Sequence, residues 1–159
     1  MKRSLVIAAS LALASCEKNR TIAKETDSSV RSTAADTSLV VERVAGVRVV
    51  LATGDGCTLR YGLDSLTSEL RLGITPPCAL HRDENGSVRT RHVGDALVFL
   101  VESSSPDPQH PGTCNTEIRG VIVTGVTVRS SKVVDRVAMC APFQWDDVMF
   151  IGLSKPDSP

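Results

Sequence analysis

Residues 78–102 read CALHRDENGSVRTRHVGDALVFLVE, and the fold class follows from how that stretch is punctuated. Asp83-Glu84-Asn85-Gly86 has the composition of a hairpin tip, so arms are predicted over 78–82 and 88–93. Gly94-Asp95 predicts a second turn. It opens on 96–102, an apolar run without alternation, which suits a central strand covered on both faces.

The same reading extends in both directions. Upstream, the valine-rich 44–53 predicts one strand, and Asp55-Gly56 turns it into a returning strand over 57–61. Leu63, Leu66 and Leu70 fall at i, i+3 and i+7, the spacing of one short helix, with Asp64 or Ser65 at its start. An extended 70–74 is the alternative. Pro76-Pro77 forces extended backbone into Cys78. Downstream, 103–112 holds three prolines and three serines and predicts a surface loop. Strands over 118–123 and 126–129 break at Gly125, a bulge or turn. Residues 133–139 suit either a helical turn or a strand, and 148–153 predicts the last strand. Together these predict a mainly β fold: a compact antiparallel sandwich or barrel of about seven short strands, with at most one short helix.

The start of the chain carries a different signal. Lys2 and Arg3 precede a ten-residue apolar run from Leu5 to Ala14. A membrane-spanning helix needs about 20 residues, so this run is too short to cross. It has the length of a signal-peptide core. Leu13-Ala14-Ser15-Cys16 closes it and resembles the lipobox of bacterial lipoproteins: an aliphatic residue, two small residues, then cysteine. The resemblance covers residues 1–16. It implies that the peptide is cut before Cys16, whose thiol receives a diacylglyceryl group and whose new amine is often acylated (palmitate is a typical chain). Two or more chains anchor a protein stably without spanning the bilayer. Glu17 stands where lipoproteins retained at the inner membrane often have Asp. The resemblance therefore implies a cell-envelope protein at the outer membrane, facing the periplasm.

Removing 1–15 leaves 159 − 15 = 144 residues. Residues 16–38 are the expected lipidated N-terminus and tether. The Ser-, Thr- and charge-rich composition of 17–38 buries too little apolar surface to offset ordering entropy. A flexible tether of about 22 residues reaches roughly 25 Å. One domain is expected over 39–153, with 154–159 fraying.

Five cysteines occur. With Cys16 taken by the lipobox, Cys57, Cys78, Cys114 and Cys140 remain, an even number in a chain bound for an oxidising compartment. Two disulfides are expected. Of three pairings, Cys57–Cys78 and Cys114–Cys140 join the segments closest in sequence. A four-cysteine zinc site lacks its C-x-x-C spacing.

Charge excludes one class of partner. The chain has 18 basic and 18 acidic residues; without Lys2 and Arg3 the balance is 16 − 18 = −2. No basic block stands out, and five aromatics occur (one Trp, one Tyr, three Phe). Nucleic acid recognition needs a positive footprint and usually stacking side chains, so none is expected.

Catalytic and metal signals are weak. His81 and His92 could face each other across the Asp83–Gly86 turn, with Asp83 or Asp95 near, but no H-x-H or H-E-x-x-H spacing exists, and His110 stands apart. No Gly-x-Ser-x-Gly elbow is present. Thr53-Gly54-Asp55-Gly56 reads as a turn rather than a phosphate loop. No enzyme, cofactor or metal is expected. Phe143-Gln144-Trp145-Asp146-Asp147 is the partner-binding candidate. Trp is enriched at binding hot spots, and the two acids could meet a basic partner. In the competing reading Phe143 and Trp145 pack under the Cys114–Cys140 bridge, and the acids are solvated or cap a final turn. The expected function is a non-catalytic, protein-binding lipoprotein, a class that includes immunity proteins and enzyme inhibitors. The alternatives are an envelope-maintenance lipoprotein and, behind it, a small-ligand or metal binder.

Overall fold

A computed structural model describes residues 41–156; the signal-peptide, Cys16 and tether readings and residues 157–159 lie outside them. The described chain is mainly β, with two antiparallel sheets and one short helix. The first sheet orders β1 (Val41–Val44), β2 (Val47–Thr53), β3 (Cys57–Gly62) and β4 (Ser68–Arg71) side by side. The second runs β5 (Cys78–Leu80), β7 (Ala96–Pro106), β8 (Cys114–Thr124), β9 (Thr127–Val137), with β6 (Thr90–Val93) also on β7. Helix α1 (Asp147–Gly152) follows.

The sheets meet face to face over one apolar core. Val47, Val49 and Leu59 of the first sheet pack with Phe99, Val101, Val121 and Val123 of the second. The other face of the second sheet also carries apolar residues: Val98, Leu100, Ile118 and Ile122, covered by Trp145, Phe150 and Leu153. This three-layer arrangement explains the unalternating run in β7. Odd positions face the first sheet and even positions face the helix, so both faces are dry.

Several boundaries differ from the sequence reading. The single strand expected over 44–53 is a hairpin. Ala45 and Gly46 both take positive φ, 49° and 80°, which folds β1 back on β2. The leucines at 63, 66 and 70 form no helix. Leu63 is half exposed, and Leu70 pairs with Leu59 in β4. Strand β7 runs on through Ser103 to Pro106, so only the second part of 103–112 is loop. Residues 133–137 extend β9. Nine described strands result, where about seven were expected.

The turn at 83–86 forms as composition demands: the Asp83 carboxylate accepts from Asn85 N and Ser87 N at 2.9 and 3.0 Å. Its flanks, however, do not pair with each other beyond Arg82 opposite Val88. Strand β5 lies on residues 101–103 of β7, and β6 lies on 96–99. The two flanks are consecutive pieces of one edge, with the turn as an excursion between them.

The last predicted strand, 148–153, is helix α1 instead. The Asp146 side chain accepts from Met149 N and caps it. Phe150 and Leu153 point at β7 and β8, while Val148 and Ile151 face solvent. Gly120 permits this docking. A Cβ there would lie 2.2 Å from the Leu153 carbonyl oxygen. Opposite Gly120, β9 bulges, and Ser131 Oγ accepts from Gly120 N at 3.1 Å. Residues 154–156 turn back onto β9. Lys132 N donates to Lys155 O at 2.8 Å, and Ser131 bridges Pro156.

Both expected disulfides are present, with Cα–Cα distances of 6.0 Å for Cys57–Cys78 and 4.9 Å for Cys114–Cys140. The first does not link neighbours in one sheet. It joins β3 to β5 and so ties the two sheets together.

Candidate binding cleft

The edge formed by β5 borders a recess. Pro77, Ala79 and Leu80 line it, together with Leu51 and Thr53 of β2 and with Pro142 and Phe143. The recess measures about 760 Å³, within the range of small-molecule and peptide-anchor pockets. Alternation along β5 dictates its shape. Leu80 turns into the inter-sheet core, whereas His81, next along, belongs to the opposite face and lies against Phe150 with ring centroids 6.2 Å apart.

The segment over 141–144 is held in place by polar contacts. Ala141 N donates to Ser104 Oγ at 3.3 Å. Gln144 Nε2 donates to Arg82 O at 3.1 Å, and Gln144 Oε1 accepts from Arg89 at 3.2 Å. Phe143 leans on Trp145 at 4.8 Å and keeps about a third of its surface in solvent. A half-exposed aromatic on a fixed wall is the kind of side chain that contributes most at protein interfaces.

Beneath this wall lies a buried polar cluster. Trp145 Nε1 donates to Glu102 Oε2 at 2.8 Å, and His81 Nδ1 is 3.7 Å from the same oxygen. Glu102 is 6 % exposed and His81 1 %. A carboxylate is rarely buried without a partner; here an indole N–H supplies the hydrogen bond. Glu102 closes the apolar run of β7 at an even position, after Val98 and Leu100. That parity already assigns it to the helix-covered face.

The residues singled out from sequence are therefore dispersed. Trp145 is 4 % exposed and sits inside the second core, bonded to Glu102 rather than presented to a partner. It packs on the second sheet's outer face with Phe150, not under the Cys114–Cys140 bridge. Asp146 caps α1. Asp147 pairs with Arg91 and lies 3.9 Å from Arg89. His81 is buried, His92 is exposed on β6, and His110 pairs with Asp107 at 2.9 Å, so the three do not converge. Among the described residues no group of three or more His, Cys, Asp or Glu is arranged to hold a metal ion. Within the stretch 143–147, the side chain left at the surface is Phe143 rather than Trp145, because Trp145 takes the buried place.

A second recess, about 490 Å³, has a mixed polar and apolar lining that includes Thr75, Ser105, Asn115 and Glu117. Thr75 N donates to Glu117 Oε2 at 2.9 Å, and Arg136 Nε donates to Oε1 at 3.0 Å. The Thr75 amide, aided by Arg136 and opposed by partial burial, holds the Glu117 carboxyl below its ordinary value. Glu117 thus fastens the β4–β5 connection to the second sheet.

No protein-family model, no curated protein and no solved structure matches this chain.

Proposed function

We propose that this chain is a lipid-anchored protein of the bacterial envelope whose domain is a non-catalytic protein-binding module. The single observation that carries the binding role is the cleft beside β5, lined by Phe143 and Pro142 together with Ala79 and Leu80. Its walls are mostly apolar, its rim is tied down by the Cys57–Cys78 bridge and the Gln144 contacts, and its buried acid already has a donor. Such a recess takes an apolar side chain from a partner protein, with the tied-down wall lowering the ordering cost of association. The anchor at Cys16 follows from the lipobox resemblance. It places the module where it captures or blocks another envelope protein.

Two measurements test this reading. Mass spectrometry of the membrane fraction should find Cys16 acylated, and an unmodified Cys16 removes the anchor. A photo-crosslinker placed at position 143 should capture a defined envelope protein in cells, whereas one at position 126, on an exposed hairpin tip, should not. Equal capture at both positions, or none at either, refutes the cleft as the binding site.

A further inference from the structure

The outer face of the first sheet carries an unbalanced charge. Strand alternation puts Val47, Val49 and Leu59 into the core and Arg48, Val50, Thr58 and Arg60 on the other face, where Val50 is buried between its strand neighbours. Register then places Arg43 opposite Arg48, Arg60 opposite Glu69, and Arg71 opposite Thr58. Four arginines and one glutamate share this face, a balance of 4 − 1 = +3. The described chain as a whole is nearly neutral, so the charge is segregated rather than general.

Two details point outward. Like charges directly opposite each other in an antiparallel pair cost stability, yet Arg43 faces Arg48 with no carboxylate paired to either among the described residues. Arg43 donates to the Gly46 carbonyl and Arg48 to the Asp64 carbonyl, at 3.5 and 2.6 Å, so neither charge is neutralised. Arg71 is exposed and makes no side-chain hydrogen bond or ion pair among the described residues. Arg60, paired with Glu69 at 3.2 Å, still has 43 % of its side chain in solvent.

We infer that the outer face of the first sheet docks on the anionic phospholipid headgroups of the bilayer that carries the chain's own anchor. The inference rests on the lipid-anchored reading of Cys16, because the tether enters the domain at β1, an edge strand of this very sheet. A tether of about 22 residues brings that edge within roughly 25 Å of the bilayer. Each arginine close to an anionic surface strengthens binding by about fivefold, so a net of three gives on the order of a hundredfold. That is weak for a free protein. For a tethered one the encounter is intramolecular, and a weak contact suffices to set orientation. The layer order then turns α1 away from the membrane and leaves the cleft at the side, open to a partner.

The test uses the mature chain with Cys16→Ser, so that no acyl chain contributes. Co-sedimentation is measured with vesicles of equal parts phosphatidylglycerol and phosphatidylcholine, and with phosphatidylcholine alone. Binding to the anionic vesicles only is expected, lost as ionic strength rises past about 0.1 M. Arg43→Gln with Arg71→Gln should weaken it about 25-fold. Arg129→Gln, on the second sheet, should not change it. Circular dichroism confirms that each variant is folded. Equal binding by the double variant, or no binding to anionic vesicles, overturns the inference. So does binding to a soluble polyanion such as heparin without binding to the vesicles. Acylation of Cys16 is read separately, so failure of the anchor and failure of the face are told apart.

Discussion

Replacing Trp145 by Phe should destabilise the domain through the carboxylate it leaves behind. Trp145 Nε1 donates to Glu102 Oε2 at 2.8 Å, and both residues are at least nine-tenths buried. A hydrogen bond to a charged group contributes about 1.5–3 kcal/mol. The smaller ring adds about 1 kcal/mol of lost packing. Trp145→Phe alone should therefore cost about 2.5–4 kcal/mol, a large share of a domain's stability. Glu102→Met removes the acid at similar volume but strands the indole N–H, at about 1–3 kcal/mol. The double variant removes both polar partners, so it should cost less than the sum of the singles by about 1.5–3 kcal/mol. Urea unfolding followed by far-UV circular dichroism at neutral pH measures all four corners of the cycle. Fluorescence cannot, because Trp145 is the chain's one tryptophan. A coupling below about 0.5 kcal/mol would refute the view that this bond, rather than ring packing alone, holds the segment to β7.

Three further outcomes follow from the same structure. Gly120→Ala pushes a methyl into the Leu153 carbonyl, 2.2 Å away, and should cost about 1–3 kcal/mol while raising amide exchange in α1 ahead of the sheets. Cys57→Ser with Cys78→Ser opens a link across a sequence separation of 21 residues and should lower stability by about 3 kcal/mol in the chain-entropy account, read as a lower urea midpoint. Glu117 has a folded pKa below its ordinary 4.5, so its contribution is complete above that value and is lost as pH falls through the lower, folded one. Glu117→Gln should accordingly flatten the loss of stability below pH 4.5, and an unchanged acid limb would remove Glu117 as its cause.

Much of the fold was legible because its turns are chemically explicit. Asp55-Gly56, Asp83–Gly86, Gly94-Asp95 and Gly125 all punctuate the chain where strands end. The pairing of the four cysteines was legible from proximity in sequence, although the reason differs, since Cys57–Cys78 spans two sheets. Ala45-Gly46 was not legible: alanine in a left-handed turn is unusual, and the valines on either side read as one strand. The cleft was only half visible. Phe143 and Trp145 stand two residues apart in a loop, and nothing local says which ring is buried. The contact with Glu102, 43 residues earlier, makes that choice.

The amino-acid sequence by itself determined the mainly β character, the antiparallel connections and the two bridges, because alternation, turn chemistry and cysteine number are local properties. Tertiary structure alone decided residues 148–153. The run Val148–Met149–Phe150–Ile151 is too short for periodicity to separate strand from helix. As a strand it would have needed a free edge. As a helix it covers Val98, Leu100 and Ile118, a face of the second sheet that would otherwise stand in water, and Gly120 leaves room for its last turn. The gain from burying that face outweighs the modest strand preference of two β-branched residues.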